Sequence, residues 1–251
     1  MAATNTEEQK HFFVSPKLAD SSRRPLEVYH LSHDLRGPLN SILGFSELLL
    51  EGIEGPLTEY QEADITAIHQ SAQNLLRLIN TVVDLSKLEA DRLKLDFAPV
   101  ALDAVIQKVL AFDFGPNKPE QVELVADLPA ELPSIWADRE RVEQMIMNLV
   151  RFAFNKAKSG QVVIAADSAG RAVTIQVSFS QQVGLAPAQV SDLFELLVHV
   201  DPAGRSELGP GGLELPLTRA LAEKHNGQVQ VESDNEQGTT FVLTLPTSEA
   251  K

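Results

Sequence analysis

The chain has 251 residues, 43% of them apolar and 22% charged, which is enough for one large or two small globular domains and too apolar for a disordered chain. Lys and Arg total 21 against 35 Asp and Glu, a formal charge of −14; readers of nucleic acid or of anionic lipid need a basic face, so both classes are disfavoured. Cysteine is absent, which excludes disulfides, thiolate catalysis and zinc–thiolate sites.

Residues 1–25 read as a polar tail or linker, with Pro16 and the run Ser21-Ser22-Arg23-Arg24 before Pro25. From Leu26 the apolar period changes to steps of three and four. Val28, Leu31, Leu35, Ile42, Phe45 and Leu49 form one stripe, with Pro38 at its missing position, which predicts a bundle helix. Gly52, Gly55 and Pro56 interrupt it, and Thr58 opens a second helix with a stripe at Ile65, Ile68, Ala72, Leu75, Ile79 and Val82. A single hairpin cannot bury both stripes, so two chains are expected to pair as a four-helix bundle spanning residues 26–97 of each; the alternative is a hairpin packed on its own second domain.

After Pro99 the pattern becomes mixed. Strands are predicted at Val122–Ala126, Gln161–Ala166, Val173–Phe179, Gln228–Ser233 and Thr239–Leu245, and helices at Leu102–Ala111, Arg139–Lys156, Ala188–Leu197 and Leu215–His225. The alternation of Val173, Ile175, Val177 and Phe179 is the clearest strand signal. The fold class is therefore α+β: a helical hairpin followed, over residues 98–251, by a mixed sheet with helices on one face. No apolar run approaches the roughly 20 residues of a membrane span and no secretory leader is evident, so a soluble, cytoplasmic chain is expected.

With Val28 and Leu31 at core positions of a heptad, His33 points into solvent. Asp34 beside it can accept the Nδ1 proton, fix the tautomer and leave Nε2 as a nucleophile. Arg36 lies three residues on and can offset charge on a phosphoryl group. Pro38 removes a backbone bond to the Asp34 carbonyl and is expected to kink the helix. From the residues alone, simple solvation of His33 is the commoner outcome, and a metal site of His30 with His33 lacks further ligands.

The run Leu31-Ser32-His33-Asp34-Leu35-Arg36-Gly37-Pro38-Leu39-Asn40 closely resembles the H-box of sensor histidine kinases, and Leu85-Ser86-Lys87-Leu88-Glu89-Ala90 resembles the end of that family's dimerisation and phosphotransfer domain. The resemblance implies that His33 is the phosphoacceptor and that Asp34 assists in-line transfer. Gly37 departs from the family, which often places Thr or Asn there to orient water for response-regulator dephosphorylation; the resemblance does not carry phosphatase activity across.

The second half resembles the family's ATP-binding domain. Asp138–Val150 looks like the opening of the N-box helix, and His225–Ser233 with Gly238-Thr239-Thr240-Phe241 matches the closing strands. The residues that handle nucleotide differ. Asn148 matches the first N-box asparagine, but Phe152 stands at the second and Asn155 at the lysine. The family's Asp-x-Gly-x-Gly appears as Phe179-Ser180-Gln181-Gln182-Val183-Gly184, with Phe179 or Ser180 at the aspartate. Its Gly-x-Gly-Leu-Gly-Leu appears as Pro210-Gly211-Gly212-Leu213-Glu214-Leu215. A phenylalanine offers no oxygen to magnesium, Pro210 has no N–H, and Glu214 adds negative charge where phosphates are expected.

The resemblance thus implies a two-component phosphotransfer protein. His33 would exchange phosphate with a response-regulator aspartate, in a homodimer that docks the receiver domain and depends on an upstream kinase or sensor protein, without nucleic acid or membrane insertion. No cofactor or resident metal is expected. ATP and magnesium enter only if the chain is an active ATP-dependent kinase with divergent motifs. A non-catalytic dimeric scaffold or antikinase is the third reading.

Overall fold

A computed structural model describes residues 24–53, 55–112, 114–115, 118–180, 190, 192–195, 198–200, 206–208, 212–234 and 238–247. Their contacts divide them into two compact units, with the break after Lys94. Half of the predicted helix at Ala188–Leu197, and the residues 181–184 and 210–211 of the nucleotide motifs, lie outside the described residues.

The first unit is a helical hairpin of α1 (Arg24–Leu50) and α2 (Glu59–Glu89). Thr58 starts α2 as the sequence predicts: its hydroxyl accepts from the Gln61 N–H while the Gln61 side chain accepts from the Thr58 N–H at 2.9 Å. This reciprocal bond satisfies two donors that a helix start leaves without partners. Helix α1 runs through Pro38 as one element.

The predicted stripes divide between two surfaces. Within the hairpin, α1 buries Ser32, Leu39 and Ser46, seven residues apart, and α2 buries Ala72 and Val83. Polar ties cross this seam, among them Arg36 Nη2 to Asn80 Oδ1 and Ser46 Oγ with His69 Nδ1, each at 2.8 Å. Much of the apolar stripe faces outward instead: Leu35, Ile42 and Phe45 on α1, the last 68% exposed, and Ile68, Leu75 and Val82 on α2. A 3.5-residue period leaves each helix two flanking faces; small and polar residues fill the hairpin's inner face, and the large apolar ones are left on the other.

The second unit is a two-layer sandwich. Its sheet has the order β2 (Val122–Asp127), β4 (Gly160–Ala169), β5 (Ala172–Phe179), β9 (Gly238–Pro246), β8 (Gln228–Asp234). The β2–β4 pair is parallel and the other pairs are antiparallel. Val162, Ile164, Val173, Ile175, Val177, Phe241, Leu243 and Leu245 alternate onto one buried face, the period-two signature of a sheet covered on one side. Helices α3 (Leu102–Leu110), α4 (Arg139–Lys156) and α5 (Glu214–Lys224) supply the second layer, with Val105, Ile106, Met145, Ile146, Leu149, Leu217 and Leu221 buried. Two short antiparallel pairs were not predicted: β1 (Ala98–Val100) with β3 (Ile135–Ala137), and β6 (Val198–Val200) with β7 (Ser206–Leu208).

Asp138 ties the start of α4 to the rest of the domain. Its carboxylate accepts from the N–H of Arg141 at 3.2 Å, as a helix cap, and from the N–H of Asp96 at 3.0 Å. Its own N–H donates to His225 Nε2 at 3.1 Å, and the other ring nitrogen, Nδ1, lies 2.8 Å from the Leu221 carbonyl. These partners require a neutral imidazole with its proton on Nδ1. Burial holds the His225 pKa below the ordinary 6.5, against the Leu221 bond and Asp138, which act in the opposite sense. The unfolded chain therefore takes up this proton first as pH falls. This contribution to stability is full above about pH 6.5 and is lost progressively below it. Urea unfolding of the wild type should show a lower midpoint at pH 5.5 than at pH 7.5, and a His225→Asn variant should lose much of that difference.

Candidate functional site

His33 sits on the outer side of α1, immediately after buried Ser32. Successive helical residues are about 100° apart, so a buried Ser32 turns His33 and Asp34 outward. Both side chains are 80% exposed, with His33 Nδ1 3.7 Å from Asp34 Oδ1. That separation is an ion-pair approach, longer than a hydrogen bond. Nε2 has an open approach, as in-line attack on a phosphoryl group demands.

Arg36 is not free beside His33. Its guanidinium donates across the hairpin to Asn80. At Gly37 an added Cβ would meet nothing within 4 Å, so the absence of a side chain there is not imposed by packing.

In the second unit, the residues at the divergent nucleotide motifs come together. Phe152 on α4 lies edge-on to Phe241 of β9, with centroids 5.3 Å apart, and 6.4 Å from Phe179 at the end of β5. Phe179 stacks on Phe241 at 6.3 Å, and Phe194 adds a fourth ring edge-on to Phe241 at 6.1 Å. Phe152 and Phe179 are both buried. Phe179 shares its face with Val173, Ile175 and Val177, whereas Ser180 is exposed. Gly238, at φ +89°, passes so close to the Phe179 carbonyl that no Cβ would fit, which holds β9 against the end of β5.

Asn148 is buried, and its amide donates to the Thr218 hydroxyl at 3.1 Å and to the Glu214 carbonyl at 3.3 Å. The Thr218 hydroxyl in turn donates to the same carbonyl at 2.8 Å. Asn148 therefore fastens α4 to the first turn of α5. Thr218 carried no recognisable signal in the sequence, because it lies 70 residues from its partner. Asn155 is exposed, and the Lys156 ammonium lies 5.6 Å from the Phe152 ring centroid, a cation–π approach.

Comparison with known proteins gives the same two-part division. Residues 26–91 match the His Kinase A (phospho-acceptor) domain, and residues 137–249 match the histidine kinase-, DNA gyrase B- and HSP90-like ATPase. The chain belongs to the sensor histidine kinase family. It is 34% identical over 219 residues to the circadian input-output histidine kinase CikA of Synechococcus elongatus, covering 86% of this chain and 29% of that protein. It is 33% identical over 218 residues to the histidine protein kinase DivJ of Caulobacter vibrioides, covering 86% of this chain and 36% of that protein. The chain thus spans about a third of the length of these relatives. Among solved structures it resembles full-length ShkA in complex with AMPPNP, at 28% identity and a TM-score of 0.67, over 90% of this chain and 47% of that one. Membership of the family places the chain in two-component signalling. No helix among the described residues is long and apolar enough to cross a membrane.

Proposed function

We propose that this sensor histidine kinase homologue works as a histidine phosphotransferase. His33 accepts a phosphoryl group from the aspartyl phosphate of a receiver domain, or from a separate kinase, and returns it to a receiver aspartate. Asp34 takes the Nδ1 proton as the imidazole acquires positive charge, and Nε2 is the attacking atom. The receiver supplies its own magnesium.

The observation that carries the reading is the cluster of Phe152, Phe179 and Phe241. The family's nucleotide site uses an asparagine oxygen for magnesium where Phe152 stands and an aspartate for the adenine amino group where Phe179 or Ser180 stands; buried aromatic rings at 152 and 179 supply neither. Asn148, the retained N-box residue, donates its amide N–H groups to α5. The residues present do not fit magnesium–ATP. The ATPase-like domain then serves as a framework and docking surface. Incubating the purified chain with labelled ATP and magnesium, and separately with a labelled receiver domain, distinguishes the readings. Label from the receiver alone is expected. Label from ATP would mark an active kinase, and label from neither would mark a scaffold.

The outward stripe of Leu35, Ile42, Phe45, Ile68, Leu75 and Val82 supports a homodimer closed as a four-helix bundle. Placing a charge in that seam should split it. Leu75→Glu is expected to convert a dimer to a monomer in sedimentation equilibrium; a variant that remains fully dimeric would contradict the assigned seam.

A further inference from the structure

We propose that Asn80 is a positioning residue for phosphoryl transfer at His33: its amide oxygen holds the Arg36 guanidinium, with its charge intact, one helical turn from the imidazole. The inference rests on the reading of His33 as the phosphoacceptor. The phosphoryl group carries nearly two negative charges into a setting that already holds Asp34, on a chain of net charge −14. Arg24 and Arg36 are the only Lys or Arg residues in α1, and none occurs between Arg36 and Arg77. Arg36 is three residues from His33, about 60° around the helix and nearly one turn along it, so the two are neighbours although Arg36 borders the inner seam and His33 faces outward; Arg24 lies more than two turns away.

An unrestrained arginine on an exposed helix samples many rotamers, and its fork is useful only in a few. The 2.8 Å bond from Nη2 to Asn80 Oδ1 spans 44 residues and fixes that fork against α2. An amide oxygen does this with one of the five guanidinium N–H groups and no formal charge of its own. A carboxylate at position 80 would hold the same group but cancel its charge, so the identity of residue 80 decides whether Arg36 can serve an incoming anion.

In the transfer itself, the His33 Nε2 lone pair forms the N–P bond as the P–O bond to the donor aspartate breaks. The electron pair leaves on the donor carboxylate, and the Nδ1 proton of the resulting phosphoimidazolium passes to Asp34 or water. Arg36 offsets charge on the phosphoryl oxygens throughout.

The test uses the full chain and phosphoramidate, a small donor whose P–N bond breaks with loss of ammonia, and follows phosphate on His33 by intact mass. Asn80→Ala should slow the wild-type reaction roughly threefold, and Asn80→Asp roughly tenfold, as the charge-assisted contact is loosened or neutralised. Asn80→Gln should recover much of the rate. In an Arg36→Gln background, Asn80→Ala should have no further effect. The ratio of wild type to Asn80→Asp should shrink toward one as salt screens the charge, which a merely structural role would not produce. Equal rates for wild type and Asn80→Asp, or a faster Asn80→Ala, would overturn the positioning role while leaving His33 as the acceptor. No phosphate on wild-type His33 would overturn the acceptor reading and this inference with it.

Discussion

His33→Gln is expected to abolish phosphoryl acceptance from a charged receiver while leaving the protein folded. An imidazole Nε2 has a lone pair free to form an N–P bond; a glutamine amide nitrogen has none, because its lone pair is delocalised into the carbonyl. The side chain is 80% exposed, and substitutions at such positions usually change stability by no more than about 0.5 kcal/mol. Acid-labile label should therefore fall to background with an unchanged melting curve. Label that persists in the variant would place the acceptor elsewhere.

Phe152→Ala should produce a large loss of stability. The residue is buried and touches rings from two strands, Phe179 and Phe241, and truncating a buried phenylalanine costs about 3–5 kcal/mol. Because the chain has two compact units, the loss should appear in the transition of the ATPase-like unit alone, in urea curves followed by far-ultraviolet circular dichroism. Phe179→Asp should be at least as damaging, because it would place a carboxylate among apolar rings without a partner. A family member that depended on a hydrated nucleotide pocket here would tolerate, or gain from, the polar residue. Phe152→Ala unfolding at the wild-type midpoint would contradict the account of these rings as core.

Much of this arrangement was legible in the sequence because periodicity reports burial directly. The alternation of Val173 to Phe179 identified β5 and already put Phe179 on the inner face, with Ser180 as the other candidate for the lost aspartate; the structure buries the first and exposes the second. Thr58 marked the start of α2 through a bond three residues long. Heptad counting placed His33 on the outside of α1, where it is found. The same counting did not separate the two faces of the hairpin, since a heptad names apolar positions without naming which neighbour each meets. Arg36 and Ser46 are polar residues matched across the inner seam to Asn80 and His69, and such matches need the register of two helices. The three-residue strands β1, β3, β6 and β7 are too short to carry a period. The fastening of Asn148 to α5 was hidden for a related reason: from the sequence it reads as a retained nucleotide residue, and only the fold brings Thr218 to it.

The most direct test is calorimetric titration of the chain with a non-hydrolysable ATP analogue and magnesium, alongside a melting curve at millimolar analogue. The packed phenylalanines predict no saturable heat and no shift in the unfolding of the ATPase-like unit. Saturable binding with a dissociation constant near 10 μM would stabilise that unit by about 2.7 kcal/mol at a hundredfold excess, and would contradict the claim that the domain no longer grips nucleotide.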